Sequence, residues 1–257
     1  MSERVRYEVS DGVARVTLDA PERLNAVDPE MLDAVVAHVE AAGADPAVRV
    51  VALTGAGRGF CSGADLSGAE ESDGELDDAT LMGVGAVSRV LVACPRPTVA
   101  LVGGVAAGAG VSMALACDYV LATASASFIL AFARIGLMPD GGATALVAAN
   151  VGRARAMRMA LTGEKVPAPL AEEWGLVSEC VADDGFAARS EELLEQLVAY
   201  SLTGAAATKA AVNAASLDLA AALEVEERDQ GLLLRSVDAR EGVAAFLERR
   251  RPVFRGE

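Results

Sequence analysis

The chain lacks the raw material of most metal and triad enzymes. Of its 257 residues a single one is histidine, His38, set among Val35, Val36 and Val39, which take the core-facing positions of a helical pattern. A surface place is expected for it, so a Ser-His-Asp triad or a histidine-based metal site has nothing to build on, and no metal is expected. Cys61, Cys94, Cys117 and Cys180 are widely separated, with no C-x-x-C pair. That argues against zinc ribbons and disulfide frameworks, suits a reducing compartment and leaves the thiols as small apolar groups. No apolar run reaches the length of about 18 residues that a membrane span needs. Val92 to Ala116 comes closest and is broken by Pro95, Arg96 and Pro97. The opening Met1-Ser2-Glu3-Arg4 has no apolar signal core, so a cytoplasmic protein without membrane contact is expected. Basic residues are also short: 22 Lys and Arg face 37 Asp and Glu, a net charge of −15 that argues against a nucleic-acid partner. A small phosphorylated ligand is still allowed, because a few local N–H donors and one arginine outweigh a distant field.

What the chain does have is apolar bulk (53%) and 25 glycines without a fixed period, the mark of one large domain, or one domain with a helical appendage. Val5–Val9 and Val13–Leu18 read as a hairpin turned at Asp11-Gly12. Asp28-Pro29 reads as the cap and first residue of a helix through Met31, Leu32, Val35 and Val39. A buried strand at Arg49–Thr54 leads into a small-residue loop, 56–68, followed by an acidic surface loop at 69–78. A helix over Thr80–Ala93, a strand at Pro97–Val102, a glycine-rich turn at 103–110 and a helix through Met113 and Leu115 come next. Tyr119–Ala122, Phe128–Leu130 and Leu176–Val181 are further strands, and helices cover 187–200, 205–215, 219–236 and 240–249. Strands alternating with helices, then helices alone, predict an α/β fold with parallel crossovers. The boundaries expected are a core over 1–195 carrying the site and a helical region over 196–257 acting as lid or oligomer contact.

Two segments join a strand to a helix through small residues: Gly55 to Leu66, and Gly103-Gly104-Val105-Ala106-Ala107-Gly108-Ala109-Gly110. No Gly-Lys-Ser/Thr closes either one, and Gly108-Ala109-Gly110 lacks the third glycine of a dinucleotide fingerprint. Each offers unpaired backbone N–H groups near a helix start, where negative charge is favoured.

Together with their neighbours these segments resemble the enoyl-CoA hydratase/isomerase (crotonase) family. Phe60-Cys61-Ser62-Gly63-Ala64-Asp65-Leu66 is similar to that family's F-x-[AS]-G-x-D-[LI] signature, and Gly103 to Gly110, followed by Cys117-Asp118, to its N-G-x-A-x-G-x-G. Pro21-Glu22-Arg23-Leu24-Asn25-Ala26, Ile135-Gly136-Leu137-Met138-Pro139, Trp174-Gly175-Leu176-Val177 and Phe246 to Phe254 continue the likeness in register. The resemblance implies a repeated ββα spiral core with a helical C-terminal region, and a homotrimer or dimer of trimers. It also implies an acyl-CoA thioester as partner, with no cofactor beyond its coenzyme A moiety. By position, the amides of Ser62 and Ala109 form the oxyanion hole that holds the thioester carbonyl. Coenzyme A lies along Arg23, Leu24 and Ala26, its adenine near Ala64, Asp65 and Leu66. Arg23 either meets a ligand phosphate or is a solvated surface arginine.

The pattern breaks where the family's hydratases carry two glutamates: this chain has Ser112 and Phe132 there. Neither can hold and activate water, which disfavours simple hydration. A carboxylate stands nearby at Asp140, where isomerases of the family keep their single acid/base group; it either serves as one or caps the helix that begins at Gly141. An enoyl-CoA isomerase working through Asp140 is therefore the leading expectation. A hydratase with atypical acid/base groups and an acyl-CoA-binding relative without chemistry are the alternatives. A nicotinamide oxidoreductase is weakened by the incomplete glycine fingerprint.

Overall fold

Asp11 and Gly12, both at positive φ, close the expected hairpin between β1 (Val5–Ser10) and β2 (Val13–Leu18), which pair antiparallel. The structure, a computed structural model, describes residues 2–66 and 78–255, so the acidic segment up to residue 77 lies outside the described residues. In α1 (Pro29–Ala44) the Asp28 side chain accepts the Met31 amide at 3.0 Å, with Pro29 as first residue. The helix buries Met31, Val35, His38 and Ala42 together. Those positions recur at i, i+4, i+7 and i+11 on one face, so His38 belongs to the core stripe and the surface place expected for it is corrected. Its ring stacks on Tyr7 with centroids 4.8 Å apart, and burial lowers its pKa.

From there the chain repeats one unit. β3 (Val50–Gly55) and β4 (Gly59–Cys61) precede α2 (Asp78–Ala93). β5 (Thr98–Val102) and β6 (Val105–Ala107) precede α3 (Ala109–Leu115). β7 (Tyr119–Thr123) and β8 (Ser127–Ile129) precede a 3-10 turn (Ala131–Ile135) and α4 (Ala143–Thr162). The first strand of each pair joins a larger sheet and the second a smaller one. With β9 (Lys165–Pro167), α5 (Ala168–Trp174) and β10 (Glu179–Val181), the sheet orders are β1-β2-β3-β5-β7-β10 and β4-β6-β8-β9. The larger sheet is parallel beyond its first hairpin, and β5 is buried along its whole length. This is the ββα spiral.

Three strands escaped the sequence pattern. β4, β6 and β9 are three residues each, and β4 and β6 lie inside segments read as loop and turn. Stretches so short and so rich in glycine and alanine carry no alternation of their own; pairing imposes the extended form. Four helices then follow: α6 (Phe186–Ala199), α7 (Leu202–Ser216), α8 (Leu219–Leu233) and α9 (Val237–Leu247). The run expected from 219 to 236 stops early because Ser236 accepts the Ala239 amide at 2.9 Å and starts α9. α7 buries no residue of its own apart from the Lys209 stem, whose ammonium meets Asp118 at 2.9 Å and the Leu91 carbonyl at 2.7 Å. All four cysteines are free, three of them buried. Among the described residues no helix is long and apolar enough to cross a membrane.

The two glycine-rich segments touch through α3. A Cβ added to Gly110 would lie 2.3 Å from the Cys61 carbonyl oxygen, a backbone atom that cannot turn aside. Gly110→Ala should lower unfolding free energy by about 1–3 kcal/mol. Urea denaturation checks this, and an unchanged midpoint would show the segments to be less tightly apposed.

Candidate active site

A cleft of about 1190 Å³ opens where the second strands of the repeats end. Its wall takes Ser62–Leu66 after β4, Gly108 and Ala109 at the start of α3, Phe132 from the 3-10 turn and Asp140 before α4. The C-terminal helices close it with Gln230, Leu234 and Phe246, so the site is not confined to the first 195 residues. Arg23, Ala26, Ser62, Ala64, Asp65, Leu66, Ala109 and Asp140 all line this cleft. Leu24 does not; at φ 53° it turns its backbone instead, and its carbonyl accepts a hydrogen bond from the signature loop. Arg23 is paired with Asp65 across the mouth and is not a lone solvated arginine.

Backbone donors decide what the cleft floor can bind. The Ser62 amide donates to the Leu24 carbonyl at 3.0 Å, so it is not free to hold a ligand oxygen, and the expectation for Ser62 is corrected. Its hydroxyl is committed too, to the Arg23 carbonyl at 3.0 Å. Val27 clasps the same loop by donating to Gly63 and accepting from Asp65, at 2.9 and 2.8 Å. The amide between those two, of Ala64, has no acceptor among the described residues. Facing it, Ala109 is the first residue of α3, and its amide has no intrahelical acceptor. The residues just before these alanines come together: a Cβ added to Gly63 would lie 3.1 Å from the Ala107 carbonyl and 3.8 Å from the Gly108 Cα. Both glycines have positive φ, 105° and 51°, and the alanines that follow them line the cleft.

Asp140 supplies the cleft's buried carboxylate. It does not cap a helix: α4 starts after Gly142 with no side-chain cap, and only the Asp140 carbonyl bonds Ala143. Burial is the main cause of a pKa pushed up to about 7, opposed by a hydrogen bond from Gln230 and reinforced by the charge of Glu226. The loop around it is held from three helices. Ser112 of α3 donates to the Asp140 carbonyl at 2.7 Å, and Ser88 of α2 to the Gly141 carbonyl at 2.6 Å. Glu226 of α8 accepts the Gly142 and Thr144 amides at 2.6 and 3.0 Å, together with the Thr144 hydroxyl. Ser112 therefore has its hydroxyl hydrogen engaged, and Phe132 packs its ring beside Gly108. Neither can activate water. Glu226, the other buried carboxylate nearby, does not line the cleft and is saturated by donors.

Ser88, Glu226 and Gln230 were not singled out from sequence, yet α8 carries a signal. Its buried stripe runs Leu219, Leu223, Glu226, Gln230, so polar residues occupy the last two core positions. Polar groups on a core stripe need partners, and these hold the acid loop.

The family described as enoyl-CoA hydratase/isomerase has a model that matches residues 8–257. The chain belongs to that family. This enoyl-CoA hydratase/isomerase family member is 43% identical over 253 residues to a probable enoyl-CoA hydratase of Rhodobacter capsulatus, covering 98% of each chain. It is 39% identical over 264 residues to 1,2-epoxyphenylacetyl-CoA isomerase of Escherichia coli, covering 100% of each. Among solved structures, an enoyl-CoA hydratase from Mycobacterium avium subsp. paratuberculosis superposes with a TM-score of 0.92 at 45% identity, over 98% of both chains. Hydratases and an isomerase thus both stand among the relatives of this family member.

A carboxyl that keeps its proton to about pH 7 when folded, and loses it near 4 when unfolded, makes folding favour protonation. Between those values the native state holds more protons than the unfolded one, so stability falls as pH rises. It levels off above about 7. In wild type the slope of stability with pH should carry a component of about −1.4 kcal/mol per pH unit over that window. In Asp140→Asn it should lose that component, as denaturation at pH 4.5, 6 and 8 would show; parallel curves for the two proteins would contradict the titration.

Proposed function

We propose that the protein is an acyl-CoA isomerase. The amides of Ala64 and Ala109 hold the thioester oxygen, and Asp140 carries one proton between two carbons of the acyl chain. The observation that carries this reading is a single carboxylate titrating near neutrality in a cleft where neither hydratase glutamate is present. Hydration needs a water held and split between two acid/base groups. A shift of a double bond needs one group that takes a proton from one carbon and returns it to another, and a carboxyl near pH 7 is ready for both steps.

Proton removal leaves negative charge on the thioester oxygen. Two preorganised amides facing that oxygen in a water-poor cleft favour the enolate over the ground state, each by about 3 kcal/mol. Because the donors are backbone groups on small residues, the ligand approaches closely. Coenzyme A runs from there toward Arg23, Ala26, Asp65 and Leu66 at the mouth, with the Arg23–Asp65 pair presenting a guanidinium at the cleft edge. The similarity to 1,2-epoxyphenylacetyl-CoA isomerase supports isomerisation as the reaction class. The similarity to a probable hydratase has no matching pair of carboxylates in this cleft to support it.

The test is a panel of 3-enoyl-CoA and 2-enoyl-CoA substrates with wild type, Asp140→Ala and Ala64→Pro. Conversion of the 3-enoyl to the 2-enoyl thioester should fall at least 1000-fold in Asp140→Ala, and by about 100- to 1000-fold in Ala64→Pro, which lacks the amide hydrogen. Robust hydration that survives in Asp140→Ala would reject the assignment.

A further inference from the structure

Gln230 reaches Asp140 from the far side of the cleft, and its bonding leaves it one orientation. Its side-chain oxygen accepts the Met138 amide at 3.0 Å, while its nitrogen donates to the Met138 carbonyl at 2.9 Å and to Asp140 Oδ2 at 3.0 Å. Turning the amide over would set NH₂ against the Met138 N–H and oxygen against the Met138 carbonyl, losing both of those bonds, and would also lose the bond to Asp140 whenever that carboxyl is ionised. Gln230 is 1% exposed, so no water replaces them. It sits one turn after Glu226, and the two side chains grip the acid loop on either side of Asp140, at Met138 and at Gly142 and Thr144. Asp140 Oδ1 has no protein partner among the described residues, and Asp140 lines the cleft.

We propose that Gln230 is a positioning residue: it ties Oδ2 of Asp140 to the backbone of its own loop and leaves Oδ1 as the oxygen that exchanges a proton with the substrate carbon. This rests on the proposed role of Asp140. A carboxylate anchored at one oxygen cannot swing, so the same atom takes the proton at one carbon and returns it at the other. The donated hydrogen bond also favours the ionised form, against burial and against the field of Glu226. Among the described residues no cation is paired with the Asp140 carboxyl. Ser88 and Ser112 are neutral, and Arg23, Arg134 and Arg235 are bound to Asp65, the Gly163 carbonyl and Asp78. Arg240 lies on the cleft wall with its charge exposed to solvent, and Glu227 is paired with Arg89.

The experiment follows the Asp140 carboxyl by 13C NMR titration, its resonance assigned by its loss in Asp140→Asn, in wild type and Gln230→Met, which keeps length but removes the donor. The Asp140 midpoint should move up by about one pH unit or more. The acid limb of kcat/KM should move with it, and kcat should drop at least tenfold with KM within about twofold. A midpoint that stays in place, with or without a loss of melting temperature, overturns the proposal. Should Gln230→Met not fold, Gln230→Glu takes its place: protonated, it donates to Oδ2, and ionised, it repels it. The pair should then titrate in two separated steps with activity confined to the acid side; a single unshifted step overturns the proposal. Isomerisation that survives in Asp140→Asn would sink the role of Asp140 itself, a result separate from the midpoint that reports the hold of Gln230.

Discussion

A carboxyl group taken out of water is the constraint around which the cleft is arranged. Burying Asp140 costs free energy whenever it ionises, and the loop bearing it is tied down by side chains from three helices. Five of the seven residues from 138 to 144 have a side-chain partner outside the loop: Gln230 at Met138, Ser112 at Asp140, Ser88 at Gly141, Glu226 at Gly142 and Thr144. Four side chains from α2, α3 and α8 thus hold a stretch without regular structure, 138–142, and the first turn of α4. A loop so held keeps its carboxyl at a fixed depth, and that depth is what sets a pKa of about 7.

Opposite the carboxyl, the cleft floor is made of amides rather than side chains, and packing explains why. The signature loop lies against Val27 on one side and Gly108 on the other, leaving no room for a bulky residue at Gly63 or Gly110. Close approach of two backbones brings the Ala64 and Ala109 amides to one cleft without any polar side chain having to be buried. Ser62 shows the other half of this logic. Its amide closes the loop onto Leu24, a bond that fixes where the Ala64 amide stands two residues later.

Much of this architecture could be read from the chain. The hairpin, the α/β alternation, the helical C-terminal part and the meeting of two glycine-rich segments at one site follow from turn residues, periodicity and family resemblance. Asp140 was legible through the family resemblance, as a carboxylate at the position after Pro139. What escaped has physical causes. β4 and β6 have too few residues to show a period, and His38 shares a face with Val35 and Met31 only once the helix phase is fixed at 3.6 residues per turn. Which amide of the signature loop is free depends on a bond between residues 24 and 62, far apart in sequence. Gln230 lies 90 residues from its partner, and only its place on a buried stripe gave a local sign of it.

Ser112, at one of the two positions where the resemblance implies a glutamate, is tied directly to Asp140. At Ser112 a short hydroxyl fits between α3 and the acid loop and bonds the Asp140 carbonyl; its Cβ is 3.1 Å from where a Cβ on Gly141 would be. A glutamate there would have to displace that bond and bring a second buried carboxylate beside the first. Two such groups could not both ionise near neutral pH, and the loop would lose a tie from α3. Phe132, on the cleft wall beside Gly108, brings an aromatic ring to the site and no ionisable group. The single carboxyl that the proposed isomerisation requires is the one this cleft can keep.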